Sequence, residues 1–143
     1  MIQLHGVPIL GTEYTNRVIL GYPDHIIETA LAHRPYPLFF ELICHGSWPD
    51  AKGRTFAVPY LDENLVQTAY LDAEALHDII VTRPAYCWQP VRLLMCWVGY
   101  GSNPLAQQLA DLLRAPVLAA NERISANTLL PFSNGRWIMF KPR

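Results

Sequence analysis

Short apolar runs alternate along the chain with polar breaks rich in proline and glycine. Arg17-Val18-Ile19-Leu20 is a compact apolar run closed by Gly21-Tyr22-Pro23, and it predicts a strand. Asp24 is placed to cap a helix over His25–His33, with Ile26, Ile27, Ala30 and Leu31 on one face and Pro35 and Pro37 as its stop. Leu38 to Cys44 is nearly continuous in apolar residues and predicts a buried strand. Residues 46–60 carry Gly46, Pro49, Gly53 and Pro59 and predict a loop, and 64–70 a small edge strand. Asp72 is a second N-cap, with Leu71 and Leu76 spaced as a hydrophobic staple and Ala75, Leu76, Ile79 and Ile80 as the apolar face. Val91 to Cys96 predicts another buried strand, and Gly99 and Gly101 the turn after it. Asn103 is expected to cap a third helix with Pro104 in its first position, carrying Leu105, Leu109, Leu112 and Leu113. Pro116 to Ala120 predicts a further strand. Ile124–Leu130 and Arg136–Phe140 flank Ser133-Asn134-Gly135 as a C-terminal β-hairpin. The alternation predicts an α/β domain with a mostly parallel sheet and helices on both faces.

Composition narrows the function. With 143 residues, the chain is expected to form one domain over 1–143. Hydrophobic residues make up 51% and charged residues 16%, which excludes a solvated, disordered chain. A formal charge of -1 leaves no basic footprint, so nucleic acid is not an expected partner. Cys44, Cys87 and Cys96 are too few for a disulfide framework, and a reduced environment is expected. No apolar run has the length of a membrane span, and the N-terminal residues lack the pattern of a signal peptide. A soluble chain is expected, with delivery by another polypeptide or machine left open.

The candidate chemistry lies at strand ends, where open parallel sheets build their sites. One predicted strand runs into His45-Gly46 and another ends at Cys96. A thiolate is a nucleophile and an imidazole can carry its proton. If the two strands are neighbours, His45 and Cys96 face one cleft, and the backbone N–H groups of Gly46 and Cys96 form an oxyanion hole. A reactive thiol of this kind is expected to have a pKa below the free value of about 8.5. No cofactor is needed.

Phe40-Glu41-Leu42-Ile43-Cys44-His45-Gly46 and Leu93-Leu94-Met95-Cys96-Trp97-Val98-Gly99 together resemble the caspase-like (clan CD type) cysteine peptidases. Cys96 follows His45 by 51 residues, and caspases carry their His about 50 residues before the Cys. The caspase Gln-Ala-Cys signature is absent, since Met95 and Trp97 flank Cys96. From residue 38 onward the chain also resembles the C-terminal toxin modules of bacterial polymorphic toxins, of the Rhs type and among type VI secretion effectors. That likeness rests on Val91 to Cys96, Gly99, Leu105 to Ala110, Ala115-Pro116-Val117 with Ala119-Ala120, and Asn134 to Phe140. The resemblance implies a cysteine protease with Cys96 and His45 as its dyad. It implies an effector in interbacterial competition, delivered by a secretion system into the target-cell cytoplasm, with a protein substrate there and a cognate immunity protein. Two alternatives stay open: an inactive peptidase-like binding module, and a Cys-His toxin performing deamidation or acyl transfer.

Other signals have plainer readings. Asn121-Glu122-Arg123 follows the strand after the Cys strand and, with Trp97, is the candidate substrate-binding segment; Glu122 suits a basic side chain and Arg123 an acidic one. Trp48, Trp88, Trp97 and Tyr100 are expected in the rim loops. Asp50 and Asp62 are candidates to orient the imidazole. Glu41, inside an apolar strand, needs a partner such as His45, Arg92 or a helix end, or a place near the sheet edge. A metal site from Cys44, His45, Cys87 and Cys96 is disfavoured, because neighbouring strand residues diverge.

Overall fold

The computed structural model describes residues 2–143; Met1 lies outside them. Among the described residues the chain forms β1 (Ile2–Leu4), β2 (Val7–Gly11), β3 (Arg17–Leu20), α1 (His25–Ala30), β4 (Phe40–Ile43), β5 (His45–Gly46), β6 (Ala57–Val58), α2 (Ala73–Val81), β7 (Val91–Leu94), α3 (Leu105–Leu113), β8 (Val117–Ala120) and β9 (Trp137–Phe140). A mixed seven-stranded sheet runs in the order β1-β2-β3-β4-β7-β8-β9. Its inner strands β3, β4, β7 and β8 are parallel, and β1, β2 and β9 join antiparallel at the edges.

Local chemistry accounts for the elements. Asp24 Oδ1 accepts from the Ile27 amide at 2.9 Å and opens α1. That helix stops at Ala30, where the amides of Ala32 and His33 turn back to Thr29 and Ala30 in tighter bonds. Asp72 caps α2 on the Ala75 amide, and Leu71 and Leu76 are both buried, as the staple requires. At α3 the cap is not Asn103. Pro104 holds the N-cap position without a side-chain bond, and the Leu105 amide donates instead to Thr55 Oγ1 from the distant 46–60 loop.

Two further expectations are corrected. Residues 64–70 form no strand and make one isolated bridge, Tyr60 to Thr68. Ile124–Leu130 forms no strand either, so the C-terminal β-hairpin is absent. β9 crosses residues 121–136 to pair with β8, where it covers an edge that would otherwise be unpaired. The first 16 residues supply an unforeseen hairpin, β1–β2, whose two-residue turn His5-Gly6 has φ of 55° and 73°. Positive φ at both positions is the type I′ requirement.

Strand alternation sorts the core. Val18, Leu20, Phe40, Leu42, Val91 and Leu93 cluster with Leu76, Ile79 and Ile80 of α2 and Leu105 and Leu109 of α3. The alternate residues Ile19, Ile43 and Leu94 cluster with Ile27 of α1. One rung earlier, in the same alternation, stand Arg17, Glu41 and Arg92, directly paired across β3, β4 and β7. All three are buried. Glu41 Oε1 accepts from Arg17 Nε at 3.0 Å and Nη2 at 2.7 Å. Glu41 Oε2 accepts from the Tyr36 amide and lies 3.1 Å from Arg92 Nε. The Arg92 guanidinium sits 3.7 Å from the centre of the Tyr36 ring. Glu41 therefore occupies a central strand, not a sheet edge, and its partners include Arg92 but not His45.

Glu41→Gln removes the only carboxylate between two buried guanidiniums. We expect a loss of about 3–5 kcal/mol in urea unfolding, the usual cost of stripping one partner from a buried pair. A loss under about 1 kcal/mol would show that the rung is not a stabilising constraint.

Candidate active site

The parallel strands end at one rim, and the segments that follow carry Asp24 after β3, His45 after β4, Cys96 after β7 and 121–123 after β8. Ile43 pairs with Leu94. Continuing that register by two residues brings His45 level with Cys96. The Gly46 backbone presses so closely on this segment that a Cβ there would collide with the Cys96 carbonyl oxygen, and would lie 3.0 Å from Val98 Cγ1. Glycine at 46 is thus a packing requirement, because it lets the histidine segment lie against the cysteine segment.

His45 Nε2 is 2.6 Å from Asp24 Oδ2, and the ring meets Tyr60 edge-on. Asp24 divides its oxygens, with Oδ1 capping α1 and Oδ2 holding the imidazole. Partial burial pushes the Asp24 carboxyl up, but the Ile27 amide and the His45 ring prevail and hold it below its ordinary value. With Nε2–H donating to the carboxylate, Nδ1 is left with the free lone pair. Asp50 and Asp62 do not take this role. Asp50 accepts from Lys52, Arg54 and the Arg54 guanidinium, and Asp62 from the Val66 and Gln67 amides. Asp24 escaped the sequence reading because its capping role already explained it. The signal that could have found it is its position after a parallel strand neighbouring the His45 strand.

Cys96 Sγ accepts from the Ile124 amide at 3.4 Å. Burial pushes the thiol above its usual value, against the pull of the Ile124 amide and Arg123; Glu122 adds to the upward shift. The shift runs opposite to the depressed pKa expected of a reactive thiol. Cys44 points into the α2/α3 core, and burial drives it up to about 12, so it is inert. Cys87 is exposed.

His45 and Cys96 line one cavity of about 40 Å³, walled by Ile27 and Ala30 of α1, by Ile43 and Leu94, and by Ile124 and Leu129. Beside it, Ala57 exchanges both its backbone bonds with Leu71, at 3.1 and 2.8 Å. Gly46 is the β5 partner of Ala57, and because the Ala57 N–H and carbonyl are both taken by Leu71 the Gly46 N–H is not spent on β6. The next amides along from Cys96, those of Trp97 and Gly99, donate to Glu122 and Ala120 carbonyls.

The 121–123 segment is placed at the rim but outside this cavity. Asn121 Oδ1 accepts from the Arg136 amide, Glu122 accepts from the Arg123 amide, and the Arg123 guanidinium lies over Phe132. Trp97 joins Trp48 and Tyr100 in an aromatic cluster with ring centres 4.5 to 5.8 Å apart. Trp88 does not belong to it: it meets Tyr86 edge-on at the opposite end of β7. Among the described residues, no group of three or more His, Cys, Asp and Glu side chains is placed to hold a metal ion. No helix among them is long and apolar enough to cross a membrane.

Comparison with known families finds one match, a domain of unknown function (DUF8616), over residues 24–138. The chain belongs to the DUF8616 family. The matched DUF8616 span holds Asp24, His45 and Cys96 together. No curated protein matches the chain, and no solved structure does.

Asp24→Asn separates the two duties of this residue, since Asn caps helices about as well as Asp. An Asn amide donating to Nε2 would move the ring proton to Nδ1. We expect alkylation of Cys96 by iodoacetamide at pH 7 to slow at least ~10-fold, by analogy with tautomer inversion in hydrolase triads. Because the Asp24 pKa is depressed on folding, its stabilisation is complete above the unfolded value of about 3.9 and is lost as pH falls through the folded value. The stabilities of wild type and Asp24→Asn should therefore converge in acid. An unchanged alkylation rate would remove Asp24 from the site. Gly46→Ala should slow the same reaction, through displacement of the Cys96 backbone, while leaving the Cys87 rate unaltered.

Proposed function

We propose that this chain is a cysteine peptidase used as a bacterial toxin effector. The observation that carries the reading is that His45 and Cys96 line one cavity while Asp24 holds the far nitrogen of the imidazole. In this reading Sγ attacks the substrate carbonyl as His45 Nδ1 takes the thiol proton. The Gly46 and Cys96 amides hold the oxyanion. Collapse breaks the C–N bond, and the amine leaves with the proton from His45. A thioester remains on Cys96, and water, deprotonated by the same ring, hydrolyses it and restores the thiol.

The partition of the core supports a caspase-like arrangement, with α1 on one face of the sheet and α2 and α3 on the other. The effector role draws on the likeness to polymorphic toxin modules. It carries delivery by a secretion system, action on a protein in the target-cell cytoplasm, and a cognate immunity protein seated over 46–50, 97–101 and 121–123. A second reading, a peptidase-like binding module, draws on the Trp48, Trp97 and Tyr100 cluster, whose Trp48 is 59% exposed beside the site. Deamidation or acyl transfer by the same dyad is the third.

Expression in bacteria tests these readings. Wild type should arrest growth when directed to the cytoplasm or exported to the periplasm, and Cys96→Ala and His45→Ala should abolish the effect, because the covalent route is lost. Cys44→Ala should stay toxic despite some loss of stability. Toxicity undiminished in Cys96→Ala, or a harmless wild type in both compartments, defeats the proposal. A mass change in target proteins without chain cleavage would select deamidation or acyl transfer.

A further inference from the structure

Apart from Cys44, His45 and Cys96, every residue that lines the cavity is aliphatic or methionine. Ile43 and Leu94 form its base, Ile27 and Ala30 one side, and Ile124 and Leu129 the other. The charged groups on the segments around it have partners of their own: Asp24 bonds His45 and the Ile27 amide, Glu122 accepts from the Arg123 amide and lies 3.9 Å from its guanidinium, and Arg123 lies over Phe132. A charged side chain entering this space would lose its water and find no partner.

The walls are also fixed in advance. Trp137 Nε1–H donates to the Leu129 carbonyl at 3.0 Å, the Leu129 amide donates to Ser125 O, and His33 Nε2 lies 3.2 Å from Ala126 O. The 124–129 segment is thus tied both to β9 and to the turn after α1. A pocket that is shaped before binding selects by size as well as by polarity. A cavity of about 40 Å³ has room on this measure for about three waters, the bulk of a branched three- or four-carbon group.

We propose that this cavity seats the side chain of the residue whose carbonyl Cys96 attacks, and that the side chain is a small branched aliphatic one, valine or leucine. The inference rests on the peptidase reading and names its substrate class. Cys96 and His45 stand in the cavity wall itself, so the group that fills it is borne by the reacting residue and not by a remote one.

The test digests a peptide library, prepared from a bacterial proteome, with the full chain, and sequences the new C-termini by mass spectrometry. Valine and leucine should be enriched there over glycine, aspartate and lysine, and matched peptides should give a ~10–200-fold spread in kcat/KM, the range one apolar pocket supplies. Ala126→Phe, which fills the cavity from its half-buried rim, should erase the enrichment while peptides with glycine at that position are still cut. Enrichment of aspartate, lysine or arginine, or Cys96-dependent cleavage indifferent to this residue, overturns the aliphatic assignment and leaves the peptidase reading standing. Absence of any cleavage that depends on Cys96 overturns the peptidase reading, and the assignment with it.

Discussion

A carboxylate held between two arginines in the middle of the sheet sets the geometry of everything above it. Arg17, Glu41 and Arg92 occupy one rung across three parallel strands, all of them buried. Such a set is weak evidence of net stability, because its desolvation is costly. Its force is positional. A slip of one residue in β4 would carry Glu41 to the opposite face, among Leu93 and the leucines of α3. The same register, read two rungs further, passes through Ile43 and Leu94 and then brings His45 level with Cys96. The rung at the start of the strands thus specifies which residues meet at their ends.

The second economy is at Asp24. A helix of six residues is too short to be stable by itself, and its cap and tertiary contacts must hold it. The carboxylate that supplies the cap has a second oxygen, and that oxygen fixes the imidazole. Ile27 of the same helix reaches down to Ile43 and Leu94. Helix, histidine and cavity wall are therefore placed by one residue and its first turn.

This division also explains what the chain's pattern disclosed and what it hid. β3, β4, α2, β7 and β8 are apolar runs or capped periodic segments, so short-range rules reach them; that β4 and β7 lie side by side, the condition for His45 to meet Cys96, came only with the sheet order. The partner of β9 was hidden because strand pairing is not local: Asn134-Gly135 offered a hairpin turn, while the open edge of β8 offered a ladder. β1 and β2 were missed because His-Gly, not Asn-Gly, makes their turn. The Thr55 cap on α3 joins residues 50 apart in sequence. The elevated thiol of Cys96 depends on burial, which spacing does not report.

The turn after β7 shows how the nucleophile is aimed. Trp97 has φ of 70°, a left-handed conformation that costs an ordinary residue about 1–2 kcal/mol. It is held there by its amide bond to Glu122 O, by the Tyr100 amide on its own carbonyl, and by the rings of Trp48 and Tyr100. The chain turns at Trp97, one residue past Cys96, and the carbonyl of Cys96 is received by the bare backbone of Gly46. The strain at Trp97 and the missing side chain at Gly46 are two halves of one fit, and between them they leave Sγ facing the cavity where the Ile124 amide meets it.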